Sequence, residues 1–259
     1  MTGRDKIAAA IAKAGTYLCI GVDPPLDHFD SAEAMLETER RFIEFGSEYC
    51  AGFKFNLAFF EARGRTGWEI LAALISAVPD EKVIVLDAKR ADISTSAQAY
   101  AHALFKELRA DAITVNPYMG RDSIEPFVRE TEWFAFVLAA TSNPGAHDFQ
   151  MLECGGIPLY ERVVRTLETT AWRDRLGYVV GATQPSVLAS VRRIVGHNTP
   201  LLVPGVGAQG GDLVAVLESN AGGPMLVNVS RALHEPFVAG NYETTRATAH
   251  QYRLRLRVS

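Results

Sequence analysis

Eight short apolar runs recur along the whole chain, with a segment long enough for one helix between successive runs, and this alternation constrains the fold more than any other feature. The runs cover 17–22, 52–55, 83–87, 112–115, 135–140, 178–181, 201–204 and 226–229. A run such as Val83-Ile84-Val85-Leu86, bounded by polar residues, reads as a strand buried on both faces. Several of the intervening segments, among them 32–48, 97–108 and 185–195, space their apolar residues as one face of a helix does. Strands alternating with helices imply a parallel sheet joined by right-handed crossovers. Eight such units imply closure into a (β/α)8 TIM barrel, which takes about 250 residues. The chain has 259 residues, and no low-complexity linker or break in composition divides it. The expectation is therefore one α/β domain over 1–259, with the segment 235–258 closing the last unit.

The N-terminus needs a separate reading, because Arg4 and Lys6 precede the apolar stretch Ile7–Ala12. Lys13 limits that stretch to six residues, shorter than the usual signal-peptide core of about 7–15. An additional amphipathic N-terminal helix fits better. No apolar run approaches the roughly 18 residues of a membrane span. Composition agrees: 48% hydrophobic and 22% charged residues describe a globular protein with ample core. The net charge of −4 argues against nucleic-acid binding. Cys19, Cys50 and Cys154 form no CxxC pair and leave an odd count, which disfavours disulfide and zinc frameworks and makes a reducing, cytoplasmic setting the default. None of the six histidines pairs at i, i+4, so no metal site is expected. Arg253, Arg255 and Arg257 read as solvated charge or a dipole complement ending the last helix.

In a barrel the C-terminal ends of all strands converge on one rim, where such enzymes keep their active sites. The polar residues that follow the apolar runs thereby share an address. Asp23 follows the first, Lys54 lies in the second, and Asp87-Ala88-Lys89-Arg90-Ala91-Asp92 follows the third. Alternation places Asp87 and Lys89 on one face and Ala88 and Arg90 on the other. Asp92 is close enough in the turn to return toward Lys89. A lysine between two carboxylates stays protonated and is a potential proton donor. Taken alone, these six residues read better as an ion cluster at a strand end than as a reaction centre.

Residues 205–210 spell G-x-G-x-x-G, but a dinucleotide site would place that motif in a first βα unit with an acid about 20 residues on. Here it follows the seventh run, and the eighth leads into Ser230-Arg231. Barrels build phosphate sites at that place from backbone N–H groups and a helix N-terminus, and Arg231 would add a charge-assisted contact. A tight structural turn beside a surface arginine is the alternative.

Together these motifs resemble the orotidine 5′-phosphate decarboxylase family over nearly the whole chain, from Asp23 to Arg231. Asp87, Lys89 and Asp92 match its D-x-K-x-x-D motif, followed by Ile93; Lys54 matches its second-strand lysine and Asp23 its first-strand aspartate. Ser142 in T-S-N-P-G matches the base-contacting serine. P-G-V-G-A-Q-G-G-D at 204–212 resembles the phosphate loop, which carries over Pro204, Gly207 and Gln209 with Arg231 as the cationic partner. The wording of the motifs is similar to stand-alone bacterial and archaeal enzymes rather than fused eukaryotic ones. One departure is Ser96, where the family has threonine: the hydroxyl is kept and the methyl is lost.

The resemblance implies decarboxylation of orotidine 5′-phosphate to UMP, without cofactor or metal. It also implies a homodimer in which Asp92 reaches the neighbour's site. Losing CO2 from C6 leaves an electron pair in the ring plane, which the π system cannot absorb, so the protein must stabilise that charge and supply a proton. Lys89 suits both tasks. Asp87 would press on the leaving carboxylate, and Lys54 would hold the aspartates ionised and contact the ribose. Two rivals remain. Metal-dependent sugar-phosphate barrels of the hexulose-phosphate synthase type share the D-x-K-x-x-D core but carry glutamate at the position of Lys54, whose charge would repel a divalent ion. A non-catalytic nucleotide sensor would have lost Lys89 or one of the aspartates, and all three are present.

Overall fold

The computed structural model describes residues 1–206 and 212–258. The apolar runs form eight strands: β1 (Leu18–Val22), β2 (Gly52–Asn56), β3 (Val83–Arg90), β4 (Ala112–Val115), β5 (Phe134–Ala140), β6 (Leu176–Val180), β7 (Leu201–Pro204) and β8 (Met225–Val229). They pair in chain order, all parallel, and β8 returns to β1 through Leu18↔Val227 and Cys19↔Asn228 to close the barrel. The expected (β/α)8 architecture is the one observed. Burial follows from strand composition, since branched and aromatic side chains facing both the interior and the helices leave β1, β4, β6 and β8 without an exposed position.

The helical layer comprises α1 (Gly3–Ala14), α2 (Ala32–Ser47), α3 (Leu57–Glu61), α4 (Gly64–Ile75), α5 (Ser94–Ala101) and α6 (Ala146–Phe149). It continues with α7 (Leu159–Leu167), α8 (Pro185–Val195), α9 (Leu213–Asn220), α10 (Arg231–Val238) and α11 (Tyr242–Arg255). Helix α1 is the expected addition. A Thr2/Asp5 capping box starts it, and Ile7, Ala10 and Ile11 are buried. Lys6 Nζ reaches Asp111 Oδ1 at 2.6 Å, and Asp111 Oδ2 accepts from the Ile84 amide at 2.9 Å. Helix α1 is thus fastened at the N-terminal end of β3, opposite the rim that carries the polar residues.

One helix differs from expectation. The helix expected over 97–108 starts earlier, as α5, and passes into a π-helix at His102–Glu107. There the wider turn buries Leu104 and Phe105, and Phe105 stacks on Trp133 with ring centroids 4.7 Å apart. The closing segment 235–258 takes the end of α10 and all of α11, separated where Gly240 turns the chain at φ 77°. After α11 the Tyr17 amide donates to Leu256 O at 2.9 Å, joining the two ends of the described chain.

Cys19 and Cys50 are buried and Cys154 is exposed, all as free thiols. Burial pushes the Cys50 thiol up to about 12, so it stays protonated and inert. Among the described residues no helix is long and apolar enough to cross a membrane.

Candidate active site

The site is built on the C-terminal half of β3. Alternation does bring Asp87 and Lys89 together, but the strand does not stay regular. Lys89 takes φ 47°, a left-handed conformation uncommon for a lysine, and the β3–β4 register shifts between Leu86 and Arg90. The strand then continues to Arg90, beyond the expected end at Asp87. Strain of this kind costs of order 1–3 kcal/mol and persists only where the surroundings fix it. Thr114 on β4 supplies the fixing. Its hydroxyl accepts from the Lys89 amide at 2.9 Å and donates to Asp87 Oδ1 at 2.8 Å. Sequence reasoning missed Thr114 because the register between β3 and β4, which shifts at this point, is not written in the local pattern.

Asp87 is the centre of the charge network. Its Oδ2 receives Lys54 Nζ at 2.9 Å, and its Oδ1 receives Lys89 Nζ at 2.7 Å. Burial would raise the Asp87 pKa, but the charges and hydrogen bonds of Lys54 and Lys89 outweigh it and hold the carboxyl well below the usual carboxylate range. Lys54 on β2 is itself buried. Burial would lower its pKa, yet the nearby charges of Asp23 and Asp87 prevail and hold it above the ordinary lysine range. Lys89 remains about half exposed at its side chain, free to meet a ligand from the rim side.

Asp92 departs from expectation. Among the described residues no ion pair joins it to Lys89, so within one chain Lys89 is not held between two carboxylates. The left-handed turn at Lys89 redirects the chain, and Asp92 Oδ1 instead accepts from the next amide, Ile93 N, at 2.8 Å. Ile93 follows with its side chain 47% exposed, and Ser96 sits exposed in the first turn of α5. These three residues lie outside the cavity described next.

Asp23, Lys54, Pro204 and Arg231 line one cavity of about 440 Å³, together with Asn56, Phe59, Val206, Asn228, Ser230 and His234. Gly207 and Gln209 lie outside the described residues. Arg231 opens α10, immediately after β8. Three buried oxygens of the lining, Asp23 Oδ1, Asn228 Oδ1 and Ser230 Oγ, have no hydrogen-bond partner among the described residues. Gly21 on β1 makes room for two of them: a Cβ there would stand 2.6 Å from Ser230 Cβ and 3.2 Å from Asn228 Oδ1. His234, one turn after Arg231, pairs with the buried Glu39 at 2.6 Å. Asn228, Ser230 and His234 were not singled out from sequence, although the place of the eighth run before Arg231 marked their neighbourhood. Ser142 lies in the loop after β5, partly buried, and does not line this cavity.

A closed parallel barrel with a carboxylate between two ammonium groups at its C-terminal rim, and an arginine at the start of α10 on the same cavity as Lys54, has the layout of a barrel enzyme. The family model for orotidine 5′-phosphate decarboxylase / HUMPS matches residues 16–235, and the chain belongs to that family. Among curated relatives, the orotidine 5′-phosphate decarboxylase of Roseiflexus sp. (strain RS-1) is 42% identical, over 90% of this chain and 89% of its own. The solved OMP decarboxylase of Leishmania donovani superposes with a TM-score of 0.87 at 40% identity, covering 99% of this chain and 98% of that one. The likeness extends to a longer protein: the UMP synthase of Leishmania donovani is 42% identical, with a TM-score of 0.86, over 95% of this chain and 55% of its own.

The network makes a pH-dependent contribution to stability. Asp87 has a folded pKa below its unfolded value, so its contribution is present above about pH 4 and is lost as pH falls toward the folded value. Replacing Lys54 by methionine removes one of the two charges that depress it. The stability advantage of wild type over Lys54→Met should shrink by several tenths of a kcal/mol between about pH 7 and about pH 3.5. Urea unfolding at both pH values measures this, and a constant difference would contradict the assignment.

Proposed function

We propose that this chain converts orotidine 5′-phosphate to UMP by stabilising a C6 carbanion electrostatically and protonating it from Lys89, with no metal or organic cofactor. The coarser reading, a decarboxylase of pyrimidine biosynthesis, is carried by the family match and by relatives of that name at 42% identity over about nine-tenths of this chain. We take the whole chain, 1–259, as one catalytic unit of the cytoplasm.

The observation that carries the mechanism is Asp87 held ionised between Lys54 and Lys89. When the C6–carboxylate bond breaks, CO2 leaves and its bonding electrons stay on C6 in the ring plane. The Lys89 ammonium stabilises that pair as it forms and then transfers a proton to it, giving the C6–H of UMP. Asp87 faces the leaving carboxylate, and its repulsion eases as CO2 departs. Lys54 and Asp23 hold the ribose, whose hydroxyl groups also suit the unpaired oxygens of Asn228 and Ser230. Arg231 and the loop carrying Pro204, Gly207 and Gln209 take the phosphate, while Ser142 reads the base. Phosphate binding far from C6 adds to turnover as well as affinity, because it offsets the cost of crowding the reacting end. Lys54 favours this route over metal-assisted sugar-phosphate chemistry, since its ammonium occupies the space beside Asp87 that a divalent ion would need.

We further read the active form as a homodimer in which Asp92, Ile93 and Ser96 complete the partner's site. Support comes from Asp92 making no ion pair with its own Lys89 among the described residues, and from apolar exposure on the same rim: Ile93 and Tyr100 after β3, Tyr118 and Met119 after β4, Phe149 and Leu152 after β5.

Two experiments test these readings. Chelator-treated protein given orotidine 5′-phosphate should convert it to UMP, followed by the change in ultraviolet absorbance; inactivity of the folded protein would favour the sugar-phosphate or sensor type instead. Mixed Lys89→Ala and Asp92→Ala subunits, each inactive alone, should recover activity through one intact hybrid site. No recovery despite verified subunit exchange would remove the shared Asp92.

A further inference from the structure

Thr141, the residue before Ser142, is held from both sides by side chains of two different loops. Gln150, just after α6, accepts the Thr141 N–H on Oε1 at 2.8 Å, and its Nε2 donates to the Thr141 hydroxyl at 3.0 Å. Gln184, between β6 and α8, donates from Nε2 to Thr141 O at 2.9 Å. The Thr141 hydroxyl in turn donates to Asn143 Oδ1 at 2.6 Å. The peptide planes on both sides of Thr141 are therefore fixed, one by each glutamine.

The residue that follows is seated equally closely. A Cβ on Gly181, at the end of β6, would stand 2.8 Å from Ser142 N and 2.9 Å from Ser142 Cβ, so the Ser142 backbone rests directly on this glycine. Gly181 N donates to Ala140 O at 2.8 Å, and Gln184 N donates to Gly181 O at 3.1 Å. The turn that supplies the seat thus also carries the Gln184 side chain. Stabilising a half-exposed loop requires no such convergence of three loop segments on two consecutive residues. Fixing the direction of one side chain does.

We propose that Gln150 and Gln184 are positioning residues for base recognition, which lock Thr141 so that Ser142 meets the pyrimidine in a single orientation. This rests on the reading of Ser142 as the base contact. Neither glutamine touches substrate; each acts through Thr141. A side chain presented in one orientation loses little entropy on binding, and relaxing it weakens recognition of the base while leaving the phosphate end untouched.

The test compares UMP with ribose 5-phosphate, which lacks the base. In Gln150→Ala and Gln184→Ala, affinity for UMP should fall about tenfold, the equivalent of one well-placed hydrogen bond. Affinity for ribose 5-phosphate should stay within about twofold of wild type, and KM should rise by a larger factor than kcat falls. Gln150→Asn and Gln184→Asn withdraw each amide by one methylene, and test the same contacts where an alanine variant does not fold. Ser142→Ala, measured alone and combined with Gln184→Ala, separates the two claims. If Ser142→Ala weakens UMP binding and adding Gln184→Ala weakens it little more, the clamp acts through Ser142. If Ser142→Ala weakens binding and the glutamine variants do not, or if they weaken both ligands equally, the clamp is overturned and the base contact stands. If Ser142→Ala leaves UMP binding unchanged, the base contact itself fails and the clamp on Ser142 fails with it.

Discussion

Asp87 accepts three hydrogen bonds on two oxygens, from Lys54, Lys89 and Thr114, and the rest of the rim is organised around those contacts. The carboxylate is buried, and a charge there is tolerable only because two ammonium groups compensate it. Lys54 is tolerable in the core for the reciprocal reason, with Asp23 and Asp87 both close. Removing Lys54 would leave the Asp23 and Asp87 carboxylates without their buried counter-charge. The network is therefore coupled to folding as well as to chemistry.

The same contacts explain the irregularity of β3. In place of a ladder bond, the Lys89 amide donates to the Thr114 hydroxyl, and the backbone turns through φ 47°. Strain held in this way at one end of a rigid barrel keeps the charged groups fixed in advance of any ligand. Beyond the turn, Asp92 caps the Ile93 amide, and among the described residues it makes no ion pair with Lys89.

Much of this was legible in the sequence, for specific physical reasons. Apolar runs such as Val83–Leu86 marked strands because burial on both faces excludes polar residues, and their number and spacing required closure into a barrel. Asp87 and Lys89, put on one face by period-two alternation, do form an ion pair. What stayed hidden depends on long-range contacts or on single backbone torsions. The Thr114 hydroxyl reaches Asp87 across a strand pairing, the turn at Lys89 is invisible to residue type, and Asp92 was expected beside Lys89 for lack of that turn. Gln150 and Gln184 lie nine and forty-three residues from Thr141, where no local motif joins them.

The central claim is that Lys89 acts on the substrate at C6 and not merely as a counter-ion to Asp87. Lys89→Ala separates these roles, because Lys54 and Thr114 continue to hold Asp87 in place. Single-turnover decarboxylation of orotidine 5′-phosphate, measured beside UMP affinity in the same preparation, should show turnover abolished while UMP binding is retained. Near-normal turnover in the folded Lys89→Ala protein would contradict the account.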